Sequence, residues 1–309
     1  MIIQSSFFDR TSICVFVLIL LASTVRADTF HQKTFDSPDM AVEQLLSAIR
    51  IDDQQALRDI LGEQSSKMLS SGDPVADKIN RGDFVKTYEH SHHIVYEGDS
   101  RAELEIGDNQ WPLPIPMIKT GNHWAFDAGT GKEEILYRHI GRNELSAIQV
   151  CLAIVDAERD YSSKDRDEAG VLEYTTRFMS SPGKEDGLYW ETHAGEPPSP
   201  LGSLLAVAGQ DTHKKSNGLT RHYYGYLYKI LTRQGAAADG GSYDYIVKGK
   251  MIGGFAIIAY PAHYGASGIM SFIVNYDGVV YEKDLGKSTA TLASSLTEFN
   301  PTSDWKKHQ

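Results

Sequence analysis

The chain has 309 residues and a formal net charge of −11, with its acidic residues spread along the sequence instead of gathered in a tail. Such a balance excludes nucleic-acid binding, which needs clustered Lys and Arg to neutralise phosphates, and it disfavours docking on anionic membrane surfaces. With only two cysteines, Cys14 and Cys151, the chain has no disulfide framework, so stability has to come from packed cores.

At the start, Arg10 precedes an unbroken apolar run at residues 13–22, and Val25-Arg26-Ala27 stands ahead of Asp28. A short positive region, an apolar stretch of about 7–15 residues and a small-residue cleavage site are the order of a secretory signal, and a membrane span needs about 20 apolar residues. Residues 1–27 therefore read as a signal peptide cut after Ala27, which implies a periplasmic or secreted protein. Cleavage removes Cys14, so the mature chain keeps one thiol and forms no internal disulfide. No later apolar run reaches spanning length, so no membrane span is expected in the mature chain. About 280 mature residues exceed one ordinary domain, and two are expected, 28–130 and 131–309.

In the first domain, Ser37-Pro38 caps and opens a helix that carries Met40, Ala41, Leu45, Ala48 and Ile49 at helical spacing. Asp52 or Asp53 restarts a second helix that stops at Gly62, and a third begins near Asp73-Pro74. At residues 101–106 the period changes to two, with Ala102, Leu104 and Ile106 alternating against charged residues, as in a half-buried strand. Pro112, Pro114 and Pro116 then recur at every second position of residues 111–119. All three missing donors fall on one side, so this strand is expected at a sheet edge with Leu113, Ile115 and Met117 facing the core. Trp124 and Phe126 share one face of a further strand. Helices followed by a curved antiparallel sheet make an α+β domain.

Residues 132–161 read as a long helical segment. Leu145, Ile148, Leu152 and Val155 form one stripe and Ala147, Cys151 and Ile154 its neighbour, a face wide enough to lie inside a fold. Gly141 leaves open whether the helix continues or breaks, with Asn143 able to cap a restart. After loops at 195–200 and 234–241, β patterns cover residues 223–231, 254–261, 268–275 and 278–286, with a hairpin signal at Asp277-Gly278. The second domain is thus expected to be a long helix packed on an antiparallel β-meander, which keeps the whole chain in the α+β class.

Several stretches carry a resemblance: WPLPIPMIK at 111–119, GRNELSAIQ at 141–149, PGKEDGLYW at 182–190, SPLG at 199–202, residues 243–265, and NYDGVVYEKDLG at 275–286. They resemble a bacterial family of unknown function, DUF2950, along nearly all of the mature chain, and this implies no particular activity. Residues 141–286 alone are similar to the globular part of type IV pilins and pseudopilins. That likeness implies a pilin-like helix and meander. The chain departs from pilins in that the helix is internal and is preceded by Lys132, Glu133, Glu134, Arg138, His139 and Arg142.

Among chemistry-bearing residues, Cys151 lies between apolar neighbours and reads as buried and inert, since reactive thiolates need exposure and nearby positive charge. His90, His92 and His93 lack the paired spacing of a metal site and read as a solvated helix end. Ser199 reads as a helix cap with Pro200 at the first position, ahead of Leu201, Leu204, Leu205 and Val207. Gly286-Lys287-Ser288 matches only the end of a phosphate loop. The strongest candidate for binding is aromatic: Tyr189, Trp190, His193, Tyr224 and Tyr226, with Tyr228, offer flat apolar faces with polar handles. Either they line a surface for a glycan or an envelope protein, or they pack the core and sheet. Glu185, Asp186 and Glu191 nearby are the carboxylates an acid/base pair of the glycosidase type would draw on. The sequence thus reads as a non-enzymatic envelope binding module with no cofactor or metal, the alternatives being a hydrolase of envelope polymers or a pilin-like assembly component. Amino-terminal sequencing of the protein from an envelope fraction is expected to begin at Asp28, and an intact Met1 in the soluble pool overturns the export reading.

Overall fold

In a computed structural model, which describes residues 31–69, 74–166, 168–193, 195–204 and 220–308, the N-terminal helices start where their capping chemistry allows. The expected signal at 1–27 lies outside these residues. Helix α1 (Pro38–Arg50) begins with the Met40 amide donating to Ser37 Oγ, and α2 (Gln54–Leu61) with the Gln55 and Ala56 amides donating to Asp53, before Gly62 ends it. Their apolar faces bury Ala41, Val42, Leu45, Leu46, Leu57, Ile60 and Leu61. Helix α3 (Pro74–His90) leaves Val75 and Ile79 exposed and packs Phe84, Val85 and Tyr88 against the same core.

These helices cover an antiparallel sheet ordered β1 (His92–Glu97), β2 (Arg101–Ile106), β4 (Met117–Thr120) and β5 (His123–Phe126), with the short β3 (Trp111–Pro112) also paired to β2. The alternation of β2 holds, with Ala102, Leu104 and Ile106 buried. The proline stretch does not form the single edge strand expected of it. It splits into β3 and β4, both along β2, and β5 occupies the far side of β4. The physical reason is the one that suggested an edge: prolines cannot donate, so pairing with β5 stops at Met117 opposite Phe126. There the Asp127 amide donates to Pro116 O, and the chain leaves the sheet to enter a long helix. Ile115 and Met117 are buried as expected, and Leu113 packs partly against them.

This helix, α4 (Ala128–Tyr161), runs uninterrupted for 34 residues and is capped by Asp127, so Gly141 neither breaks it nor stops it. Its C-terminal half buries Ala147, Ile148, Val150, Cys151, Ile154, Val155 and Ala157 in a second core. Opposite lies a six-stranded antiparallel sheet ordered β15 (Lys306–Lys307), β14 (Val280–Asp284), β13 (Met270–Asn275), β12 (Ala256–Pro261), β7 (Tyr226–Leu231) and β6 (Thr220–Tyr223). The chain is therefore α+β, with a long helix on a β-meander. The expected strand at 223–231 is instead two, because Tyr224 takes a positive φ of 47° and turns the chain between β6 and β7. Between β7 and β12 the chain forms two small ladders, β8 (Arg233–Gln234) with β9 (Tyr243–Asp244) and β10 (Ile246–Val247) with β11 (Lys250–Met251). A short α5 (Thr289–Ser295) comes after β14.

Polar side chains of α4 fasten the sheet at both ends of β13. Glu144 Oε1 accepts from the Ile269 and Met270 amides at 2.9 and 3.0 Å, and Asn143 Nδ2 donates to Ser267 O. At the far end, Arg159 Nη2 donates to Tyr276 O at 2.9 Å. Gly268 sits so close to Tyr226 that a Cβ there would lie 2.1 Å from the phenol oxygen.

Cys151 is fully buried, and burial pushes its thiol up from its ordinary value. Cys151→Ser is expected to lower stability by about 1–3 kcal/mol in urea unfolding, as a hydroxyl is forced into an apolar site. Fast labelling of the native thiol contradicts that placement. Apart from Ala128 and Ile140, the buried apolar residues fall into two clusters, one ending at Phe126 and the other starting at Ala147. A fragment of residues 28–130 is expected to unfold cooperatively by circular dichroism, and a broad non-cooperative melt places the boundary elsewhere.

Candidate functional site

The segment after α4 has little regular structure and is shaped by main-chain contacts. Ser180 N donates to Tyr189 O, Tyr189 N to Phe178 O and Leu188 N to Arg177 O, so residues 177–180 and 187–189 lie side by side. They approach closely because residue 187 is glycine: a Cβ there would meet the Met179 carbonyl carbon at 2.6 Å and Ser180 N at 2.7 Å. Asp186 locks the intervening turn, accepting from Ser181 N at 2.6 Å and Ser181 Oγ at 2.8 Å. Burial acts to raise the Asp186 carboxyl, but the Ser181 bonds and Arg177 together hold it below the usual carboxylate value.

This turn, the end of α4 and the proline loop surround a cleft of about 890 Å³. Tyr189 and Trp190 are half-buried in its wall, and His193, Pro197 and Pro198 stand exposed at its rim. Glu196 Oε2 accepts from the His193 amide at 2.8 Å and shapes that rim. At the base, the Arg166 guanidinium lies between two rings, 4.9 Å from the centroid of Tyr161 and 4.9 Å from that of Trp190. Its Nε donates to Tyr161 O at 3.3 Å and its Nη1 to Glu185 at 2.7 Å. A cation held over aromatic faces and fixed by its planar fork is oriented as well as attracted.

Of the residues singled out from sequence, Tyr189, Trp190 and His193 meet in this cleft, and so do Glu185 and Glu191. Tyr224 and Tyr226 do not join them. Tyr224 is exposed in the β6–β7 turn, and Tyr226 is fully buried with its hydroxyl donating to Met270 O at 2.8 Å. Tyr228 is buried beside Tyr223. Strand alternation explains this: every second residue of β7 points into the core, which takes Tyr226 and Tyr228 together. For these two the core reading is correct. Ser199 does not cap through its side chain. Its buried Oγ has no hydrogen-bond partner, and its carbonyl accepts from Gly202 N instead. Leu205 and Val207 lie outside the described residues. Reasoning from sequence missed Arg166, Lys164 and Asp160, which line the cleft from beyond the aromatic motif.

The histidines between α3 and β1 are occupied separately. His90 pairs with Asp108, His93 Nε2 with Glu105 at 2.6 Å, and His92 stacks on Tyr88 with ring centroids 3.7 Å apart. Among the described residues no group of three or more His, Cys, Asp or Glu gathers as a metal site, and no helix is long and apolar enough to cross a membrane.

The model of a protein family of unknown function, DUF2950, matches residues 32–308. The chain belongs to this family. No curated protein and no solved structure matches it, so the likeness to pilins carries no further argument.

Glu158 of α4 is fully buried and accepts from the Thr175 amide at 3.0 Å, while its other oxygen has no hydrogen-bond partner. Burial raises its carboxyl well above the usual range, outweighing the Thr175 bond, which lowers it. Unfolding returns the group to an ordinary glutamate near pH 4.3, so between that pH and the raised native value the folded state holds the extra proton. Stability from this group is complete at low pH and falls as pH rises through that window. In urea titrations across the window, Glu158→Gln is expected to lose less stability with rising pH than the parent. Parallel curves contradict the assignment.

Proposed function

We propose that the protein is exported to the cell envelope, periplasmic or secreted, and acts there as a non-enzymatic binding module whose ligand lies in the cleft at Trp190. The export part is supported by Arg10, the apolar run at 13–22 and Val25-Arg26-Ala27, and by a family match that starts just beyond the expected cut. The binding part rests on one observation: Trp190 and Tyr189 are half-buried in the wall of an open cleft, with Arg166 fixed under the Trp190 ring. Clefts that combine fixed aromatic faces with a few convergent polar groups are the usual form of ligand sites.

Asp186 already has a fixed partner in Ser181, and Glu185 rests on Arg166 in this structure, which favours binding over acid/base chemistry. A hydrolase of envelope polymers is the second reading, and it draws on Asp160 and Glu191 in the same cleft. The two separate experimentally. Calorimetry of the mature chain against soluble peptidoglycan fragments and acidic and neutral polysaccharides is expected to find a ligand that is recovered intact. Trp190→Ala is expected to weaken it at least about tenfold, the size of a central aromatic contact, with His193→Ala as an exposed companion. A folded Trp190→Ala variant with undiminished affinity excludes the cleft, and shortened ligand chains favour the hydrolase.

A further inference from the structure

Arg166 and Glu185 form an ion pair whose two members stand in unlike surroundings. The Arg166 side chain is 10 % exposed, covered by Tyr161 and Trp190, and the Glu185 side chain is 53 % exposed on the turn that Asp186 locks. A nearly buried guanidinium needs an anion, because its lost hydration is otherwise uncompensated. An exposed carboxylate returns to water at little cost. Exchanging Glu185 for another carboxylate therefore satisfies Arg166 and leaves Glu185 solvated. Glu185 also lies between neighbours held independently of it, since the Lys184 amide donates to Ser181 O and Asp186 is bound to Ser181, so its side chain can swing away without disturbing the turn.

A second cavity, of about 440 Å³, lies against the first, and Lys164, Arg166, Gly183, Lys184 and Glu185 line both. The ion pair thus stands at the junction of two cavities, with two further lysines beside it, and with Asp160, Glu191 and Glu196 elsewhere in the first wall and Glu173 and Asp186 in the second. We infer that Glu185 is a built-in stand-in for the acidic group of the ligand, and that the cleft takes a carboxylate-bearing glycan whose acid displaces Glu185 from Arg166. This rests on the reading of the cleft as the ligand site and names its ligand class. A glycan is favoured because sugars present apolar C–H faces, which Trp190, Tyr189 and the rim prolines match, together with hydroxyls for Thr192. Displacement moves one of the side chains that line both cavities and lets an oligomer run from one cavity into the other, its next acids meeting Lys164 and Lys184. The internal competitor lowers apparent affinity by the fraction of molecules in which Arg166 is engaged, so removing its charge strengthens binding.

The test is calorimetry of the mature chain with tetragalacturonate, its carboxyl-reduced neutral counterpart and a tetraglutamate peptide, with melting curves to confirm folding. Glu185→Gln is expected to bind tetragalacturonate about fivefold or more tightly than the parent. Arg166→Lys is expected to lose about tenfold, because a point charge does not replace the stacked fork. The neutral tetramer should bind parent and Glu185→Gln alike. If Glu185→Gln gains nothing for the acidic sugar, the stand-in is overturned. Should the neutral sugar still bind there in a Trp190-dependent way, the cleft reading survives alone. An equal or larger gain for tetraglutamate overturns the glycan in favour of an acidic peptide. Absence of saccharide binding in either folded protein overturns both readings.

Discussion

The burial of one helical stripe under the second sheet is the constraint on which the rest of the structure depends. Ala147, Ile148, Cys151, Ile154 and Val155 lie in one core with β12 and β13, and nothing about an apolar stripe alone sets where along the strand it comes to rest. The polar anchors set it. Glu144 holds the start of β13 and Arg159 the carbonyl just past its end, separated by about 22 Å along the helix at 1.5 Å per residue. Met270 to Tyr276 spans about 20 Å at strand rise, so the two rulers agree and a one-turn slip of the helix would break both anchors. Hydrogen bonds to charged groups are the stronger kind, which suits them to fixing register.

The same helix organises the irregular segment C-terminal to it. Its last turns present Glu158 to the Thr175 amide and Tyr161 to Arg166, so the chain that forms the cleft is hung from α4 by a buried acid and a stacked cation. Thr175 Oγ1 in turn donates to Asp186 O, which links the helix to the turn that carries Glu185. A segment with few strand or helix bonds of its own is kept in shape by these side chains, as loops that carry function on a rigid scaffold usually are.

Much of the fold was legible in the sequence wherever one local rule acted alone. The Ser37 and Asp53 caps, the alternation at Ala102, Leu104 and Ile106, and the final strands came from capping and period. It misled where two rules competed. The prolines at 112, 114 and 116 do remove donors, but the consequence was an early end to pairing with β5 and not an edge position for β4. Gly141 lies within an unbroken α4, where a Cβ would meet nothing within 4 Å, so its presence marks neither a break nor a close contact. In the site, the contiguous aromatics at 189 and 190 were found from composition, whereas Tyr226 was misplaced because a β-strand turns every second side chain inward. Arg166 carried no local signal at all. Its role comes from a turn that folds residues 177–190 back over the end of α4, a contact that no spacing rule expresses.

The absence of a side chain at residue 187 bears on how the cleft recognises anything. Because two stretches of main chain touch there directly and share N–H···O hydrogen bonds, the wall beneath Tyr189 and Trp190 is set by backbone geometry and not by adjustable side chains. Association usually loses free energy to the ordering of loops and side chains at the contact, and a wall already ordered avoids most of that loss. For a carboxylate-bearing glycan, such a wall favours selection by shape, and the proposed release of Glu185 is the movement it requires.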